Sequence, residues 1–152
     1  MQNTEKPLVF FSYAREDERI AHLLTQVMRA GGASVFMDVR DLELGELWEQ
    51  RITSEILKCD RVVVFWSKNA LTSTWVNREV SLGIELEKSI VPIVVAGVAI
   101  PPALSAYHGI HNIDVLFSEV IPLITANAGL HIAGANLVRA ILGGSAYKSV
   151  RT

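Results

Sequence analysis

The 152 residues carry 14 Lys and Arg against 16 Asp and Glu, a formal charge of −2, which leaves no basic footprint for direct nucleic-acid binding. Half of the residues are hydrophobic and the mean hydropathy is +0.31, values that suit one domain with a sizeable core and a buried parallel sheet. A single cysteine, Cys59, excludes an intramolecular disulfide framework and fits a reducing, cytoplasmic compartment.

In chain order, Met1 to Lys6 lacks the basic and apolar regions of a signal peptide. Pro7 to Tyr13 is a continuous apolar run of the kind a central parallel strand needs. Ala14-Arg15-Glu16-Asp17-Glu18 opens a helix with acidic residues in its first turn, where they suit the macrodipole. Ile20, Leu23, Leu24, Val27 and Met28 form its apolar face, and Gly31-Gly32 ends it. Ala33 to Met37 reads as a second strand stopping at Asp38. The charged stretch Asp38 to Gly45 is a loop, followed by a helix with Ile52, Ile56 and Leu57 inward.

Arg61 to Ser67 is the clearest strand. Lys68 to Thr74 connects it to a helix beginning near Ser73. At about 100° per residue, Trp75, Val76, Val80, Leu82, Gly83, Ile84 and Leu86 of that helix share one arc, with Asn77, Arg78, Ser81, Glu85 and Lys88 opposite. Glu79 falls inside the apolar arc. A carboxylate there must be paired, turned into a cleft, or reach water at the stripe's edge, because burying it alone is expensive.

Ser89 to Val95 is a fourth strand, in which Pro92 removes a donor and favours an early or edge position. Ile100-Pro101-Pro102 is a loop, Gly109 to Asp114 a short edge strand, and Leu116 to Ala126 and Leu130 to Leu142 two helices broken near Asn127-Ala128-Gly129. His131, Asn136 and Arg139 interrupt the apolar stretch from Val120 to Leu142, which falls short of the roughly 18 residues of a spanning helix, so no membrane partner is expected. Gly143 to Thr152 reads as a frayed end or the start of a linker.

Alternating strands and helices imply an α/β fold, a three-layer sandwich around a central parallel sheet. Ligands of such sheets bind beyond the carboxyl ends of the strands. Ser12-Tyr13, Asp38 to Gly45, and Ser67 to Ser73 meet at that edge, beside the start of the Glu79 helix.

Several chemistries are excluded there. The chain has no Gly-x-x-x-x-Gly-Lys-Ser/Thr loop, no Gly-x-Gly-x-x-Gly after the first strand and no Gly-x-Ser-x-Gly elbow. Ser12-Tyr13 and Ser67 stand where a phospho-accepting receiver needs acidic residues. His108 and His111 have no third ligand nearby, so they read as loop residues rather than a metal site, and Cys59 reads as packing. What remains is one carboxylate with an aromatic residue a turn before it. Ordinary O-glycoside hydrolysis uses two carboxylates. One suffices where the leaving group departs without a proton, as the cationic nicotinamide of NAD⁺ does, leaving a preorganised charge to steady an oxocarbenium-like centre.

Phe10-Phe11-Ser12-Tyr13, Val35-Phe36-Met37-Asp38 with Arg40-Asp41 and Gly45, and Ser67-Lys68-Asn69 followed by Ser73-x-Trp75-Val76-x-x-Glu79 resemble, in that order, the motifs of Toll/interleukin-1 receptor (TIR) domains. The likeness covers about Pro7 to Ala126, and the Trp-Val-x-x-Glu element is most similar to that of bacterial and axon-degeneration TIR enzymes. The resemblance implies a flavodoxin-like fold, cleavage of NAD⁺ to nicotinamide plus ADP-ribose or a cyclic isomer with no added cofactor, and dependence on self-association. It implies Glu79 as the catalytic glutamate and Trp75 as a pocket wall. Ser12, Tyr13, Arg15, Asp38 and Ser67 would line the pocket, bordered by Leu42, Glu43, Leu44 and Gly45 of the Asp38 to Gly45 (BB) loop, which would also carry the self-association.

Two positions depart from the family pattern: Ala14 stands where some active members have arginine, and Leu44 replaces the usual proline before the loop glycine. Residues 1–128 are then a TIR domain and 129–152 an extra helix and tail, either packed on it or leading to another module such as a sensor. In bacteria such domains often serve anti-phage defence. The alternative readings are a non-catalytic TIR adaptor that scaffolds partners, and a base-exchange or nucleoside deoxyribosyltransferase acting on nucleosides.

Overall fold

The computed structural model describes residues 6–37, 47–126, 129–143 and 145–150. Strands β1 (Leu8–Ser12), β2 (Ser34–Met37), β3 (Arg61–Trp66) and β4 (Ile90–Val94) form a parallel sheet in the order β2-β1-β3-β4. These are the apolar runs of the sequence, because a parallel strand covered on both faces has no solvent side on which to alternate.

Side-chain parity sorts each strand between two cores. Val9, Phe11, Val63, Phe65, Val91 and Ile93 face α1 (Glu18–Ala30), α6 (Ile113–Ala126) and α7 (Leu130–Gly143). Phe10, Val62, Val64, Trp66, Ile90 and Val94 face α2 (Trp48–Lys58), α3 (Lys68–Leu71), α4 (Thr74–Glu85) and α5 (Pro102–Ser105). The result is the expected flavodoxin-like three-layer sandwich, with the chain leaving β1 toward β2 on one side and β3 on the other. A crevice opens at such a switch point beyond the carboxyl ends of the strands.

Pro92 sits in β4, outermost of the four strands. Its carbonyl accepts from the Ile110 N–H at 2.8 Å on the outer side, so the proline nitrogen faces away from β3 and interrupts no bond to that strand. The edge strand expected over Gly109 to Asp114 shrinks to one parallel bridge between Ile93 and Ile110, and α6 already begins at Ile113. Leu57, expected to face inward, is 54% exposed, since it lies a further 100° round the helix from the buried Ile56. The short helices α3 and α5 occupy stretches read as loops, because four residues are too few to show a 3.6-residue period.

Helix α7 belongs to the same core as the sheet, through Ala133, Leu137, Val138, Ala140 and Ile141. It crosses α1 backbone to backbone. A Cβ on Gly31 would lie 2.1 Å from the Gly134 carbonyl oxygen, and one on Gly134 would lie 2.3 Å from that of Val27. The segment after α7, expected to fray or to lead away, is fastened down instead. Asn112 pairs with both backbone groups of Tyr147 (2.8 and 3.1 Å), and Asn136 donates to the Lys148 carbonyl at 3.1 Å.

Candidate functional site

Helix α4 starts where the Ser73 hydroxyl accepts from the Val76 N–H at 3.1 Å, a side-chain N-cap. From there Val76, Val80 and Gly83 turn inward, and Glu79 turns inward with them, wholly inaccessible to solvent. Its Oε1 accepts a hydrogen bond from the Ser12 hydroxyl at 2.7 Å. Ser12 is equally inaccessible and closes β1 on the parity of Phe10, which aims it at the α4 side of the sheet. A buried carboxylate held by a short hydroxyl bond is a charge-assisted contact, the arrangement that offsets removal from water. Of the outcomes open to Glu79, burial with a partner at the sheet's carboxyl edge is the one realised.

Trp75, one turn before Glu79, is half-buried and meets the ring of Trp48 edge-on, with centroids 4.9 Å apart at 63°. The Arg78 guanidinium lies 4.1 Å from the Trp48 centroid on the other side of α4 from Glu79. There Trp48, Thr74, Asn77, Arg78, Ser81 and Glu85 border a cleft of about 340 Å³. Trp48 thus joins α2 to α4 beside the candidate site. Sequence reasoning missed Trp48, because no local pattern announces a contact to a residue so far along the chain.

Ser67 caps α3 by accepting from the Ala70 N–H at 3.1 Å, and donates its own proton to the Asp17 carboxylate. The other Asp17 oxygen accepts from the Asn69 amide at 2.8 Å. Asp17 precedes α1 yet makes no side-chain cap to it, its carboxylate being turned across to the β3–α3 turn. A first-turn aspartate reads in sequence as a macrodipole partner, which conceals this second engagement.

Tyr13 follows Ser12 and so turns to the opposite face, where its ring packs 5.8 Å from that of Phe11. Arg15 is exposed in a 3-10 turn, Arg15–Asp17. The structure therefore brings Ser12, Trp75 and Glu79 together, sets Ser67 in the adjacent turn, and sends Tyr13 to the other core. Asp38, Leu42, Glu43, Leu44 and Gly45, and with them the BB loop, lie outside the described residues.

Cys59 is buried, its thiol donates to the Ile56 carbonyl at 3.0 Å, and burial pushes its pKa up, a setting for packing rather than nucleophilic attack. Among the described residues no group of three or more His, Cys, Asp or Glu is placed to hold a metal ion, and no helix is long and apolar enough to cross a membrane.

Comparison with known proteins places these residues in context. The profile of the family described as TIR domain matches residues 9–121, a span containing Ser12, Asp17, Ser67, Trp75 and Glu79. Over 96 residues, 57% of this chain, the sequence is 34% identical to the NAD(+) hydrolase SARM1 of Danio rerio; the match spans 13% of that much longer protein. The fold superposes on the TIR domain of the Toll-related receptor TRR-2 from Hydra magnipapillata with a TM-score of 0.58 at 25% identity, covering 78% of this chain and 92% of that one. It also follows the TIR domains of the activated Roq1 resistosome, with a TM-score of 0.53 at 21% identity over 97% of this chain and 89% of that one, a likeness of fold.

Proposed function

The chain belongs to the TIR domain family, and from that premise we propose that it cleaves NAD⁺ at the bond between nicotinamide and ribose. One observation carries the reading: Glu79 is a fully buried carboxylate, at the switch point of the sheet, bonded to the Ser12 hydroxyl 2.7 Å away and preceded by Trp75 one turn earlier. A TIR domain that only scaffolds partners has no use for a charge on the inner face of α4. The partial match to a protein named as an NAD(+) hydrolase lends support from outside the chain.

The chemistry needs little more. As the C1′–N bond breaks, its electron pair passes to the pyridinium nitrogen, so nicotinamide leaves neutral without a general acid. Positive charge spreads over C1′ and the ring oxygen, and the Glu79 carboxylate stabilises it from an environment that water does not screen. Ser12 holds that carboxylate in place before the substrate arrives, so the charge needs no reorganisation during the reaction. Trp75 offers an aromatic wall. Water adding to C1′ with loss of a proton gives ADP-ribose, and attack by a nucleophile of the same molecule gives a cyclic isomer. Self-association through the Asp38 to Gly45 loop, in the cytoplasm and under a sensor module or subunit, is the regulation that fits an immune or anti-phage effector.

The test is release of nicotinamide from NAD⁺ at high protein concentration or with a crowding agent. Wild-type protein releases it and Glu79→Ala does not. Equal release by both removes Glu79 from the mechanism, and release by neither makes the domain a scaffold. Release of a base from nucleosides but not from NAD⁺ makes it a nucleoside transferase.

A further inference from the structure

We infer that Asp17 is a positioning residue for Glu79, acting through the β3–α3 turn rather than on the substrate; the inference rests on the NAD⁺-cleaving reading above. Asp17 is 7% exposed, and both of its oxygens are taken, one by the Ser67 hydroxyl and the other by the Asn69 amide. Each oxygen is thus directed at the β3–α3 turn. Its backbone N–H bonds the Ala14 carbonyl at 2.9 Å, which fixes the turn directly after Ser12.

The bonds run onward to the catalytic side chain. Ser67 caps α3, and α3 is tied to α4 at two points: the Ser73 N–H donates to the Ala70 carbonyl at 3.1 Å, and the Asn77 amide donates to the same carbonyl at 3.3 Å. Ser73 caps α4, α4 carries Glu79, and Glu79 accepts from Ser12, five residues before Asp17. The path closes on itself. It starts and ends on one short stretch of chain, and it crosses from β1 to α4 twice, once through Ser12 and once through Asp17.

The Ser12 bond holds the Glu79 side chain from the strand side. The second crossing fixes the corner from which α4 departs, and therefore where the carboxylate sits relative to the ribose.

The experiment compares the steady-state kinetics of nicotinamide release for Asp17→Ala, Asp17→Asn and Asn69→Ala with wild type, each well below its own melting temperature and normalised to folded protein. Displacing a reacting group by about 1 Å can lower a rate by about 10²-fold. Asp17→Ala is therefore expected to reduce kcat by about 10- to 100-fold with KM little changed. Asp17→Asn keeps the Asn69 bond and should fall between Ala and wild type. Asn69→Ala, an exposed site, should reduce kcat by a smaller factor and serves if Asp17→Ala does not fold.

A double mutant of Asn69→Ala with Ser12→Ala should lose less than the product of the single losses, because both changes misplace the same carboxylate. If the variants melt earlier but keep the wild-type kcat, or if the double mutant is multiplicative, Asp17 is merely structural and the inference fails. If wild-type protein itself releases no nicotinamide, the function proposed above fails first, an outcome plainly different from a wild type and an Asp17→Ala that turn over equally.

Discussion

Among the described residues two glutamates are buried, on opposite faces of the sheet, and they are held in different ways. Glu79 on α4 accepts from the Ser12 hydroxyl at the end of β1. Glu119 on α6, 3% exposed, accepts from the Ser149 hydroxyl at 3.0 Å and the Val150 N–H at 2.9 Å, both from the segment that follows α7. The second is a fastening, because its donors lie on a strap of the same chain that Asn112 and Asn136 also grip. The first stands at the topological switch point, where α/β sheets bind ligands. Burial of a carboxylate is therefore no mark of catalysis by itself. What sets Glu79 apart is its place at the carboxyl edge of the sheet.

The comparison breaks most sharply when each glutamate becomes glutamine or alanine. Glu79→Gln is expected to lower nicotinamide release by about 10²- to 10³-fold, the scale on which a preorganised electrostatic contact acts. Its melting temperature should stay close to that of wild type, since the amide fits the same space and no longer needs desolvation of a charge. Glu119→Ala is expected to do the reverse. Loss of two hydrogen bonds to a buried charged acceptor removes about 3 kcal/mol, a fall of about 10 °C for a domain of this size, with turnover per folded molecule unchanged. Thermal unfolding and nicotinamide assays on wild type, Glu79→Gln and Glu119→Ala decide it; a Glu119→Ala protein that is fully folded yet inactive collapses the distinction.

The two glutamates were not equally legible in the sequence. Glu79 stands out because α4 mixes polar and apolar residues, so a carboxylate inside the apolar arc is an anomaly on the wheel. Ser12 was expected at the same edge, together with Tyr13, which the structure sends to the other core. Glu119 is invisible by the same means. Its helix is apolar nearly all round, with exposed Ile121 and Ile124 beside buried Leu116 and Val120, so no arc exists for it to violate. Its donors lie 30 and 31 residues away, in a segment whose Gly143-Gly144-Ser145 start looks like a linker. Asp17 and Trp48 were missed for a related reason, each having a satisfactory local explanation that hides a distant partner. Where position along one element decides a residue's role, the sequence is enough; where a contact between elements decides it, only the fold reveals it.

A smaller effect sharpens the contrast on the α4 side. Trp48 supports Trp75 edge-on and is covered by Arg78. An aromatic pair contributes about 0.5–1.5 kcal/mol beyond its buried area, so Trp48→Ala is expected to lower kcat/KM for nicotinamide release by up to about tenfold as Trp75 loses its brace. Trp48→Phe should recover most of the loss. A Trp48→Ala enzyme with unaltered kcat/KM would mean that Trp75 does not wall the pocket.

The smallest expected effect probes the strap through pH. Burial, and next the neighbouring Glu119 carboxylate, push the Tyr147 phenol up from 10.0 to about 12. An acid whose pKa is higher in the folded state keeps its proton there after the unfolded chain has lost it. The unfolded state then binds fewer protons, and stability falls as pH rises. The contribution is complete below 10 and is lost as pH climbs toward about 12. Tyr147→Phe cannot titrate, so its melting temperature should decline less steeply than that of wild type across this window, while below it the two curves run parallel. Every other alkaline group is common to both proteins and cancels in the difference. Because Tyr147 lies with Glu119 in the core opposite Glu79, nicotinamide release at neutral pH should be the same in both. Parallel melting curves throughout would detach the phenol from Glu119 and leave the strap held by its backbone bonds alone.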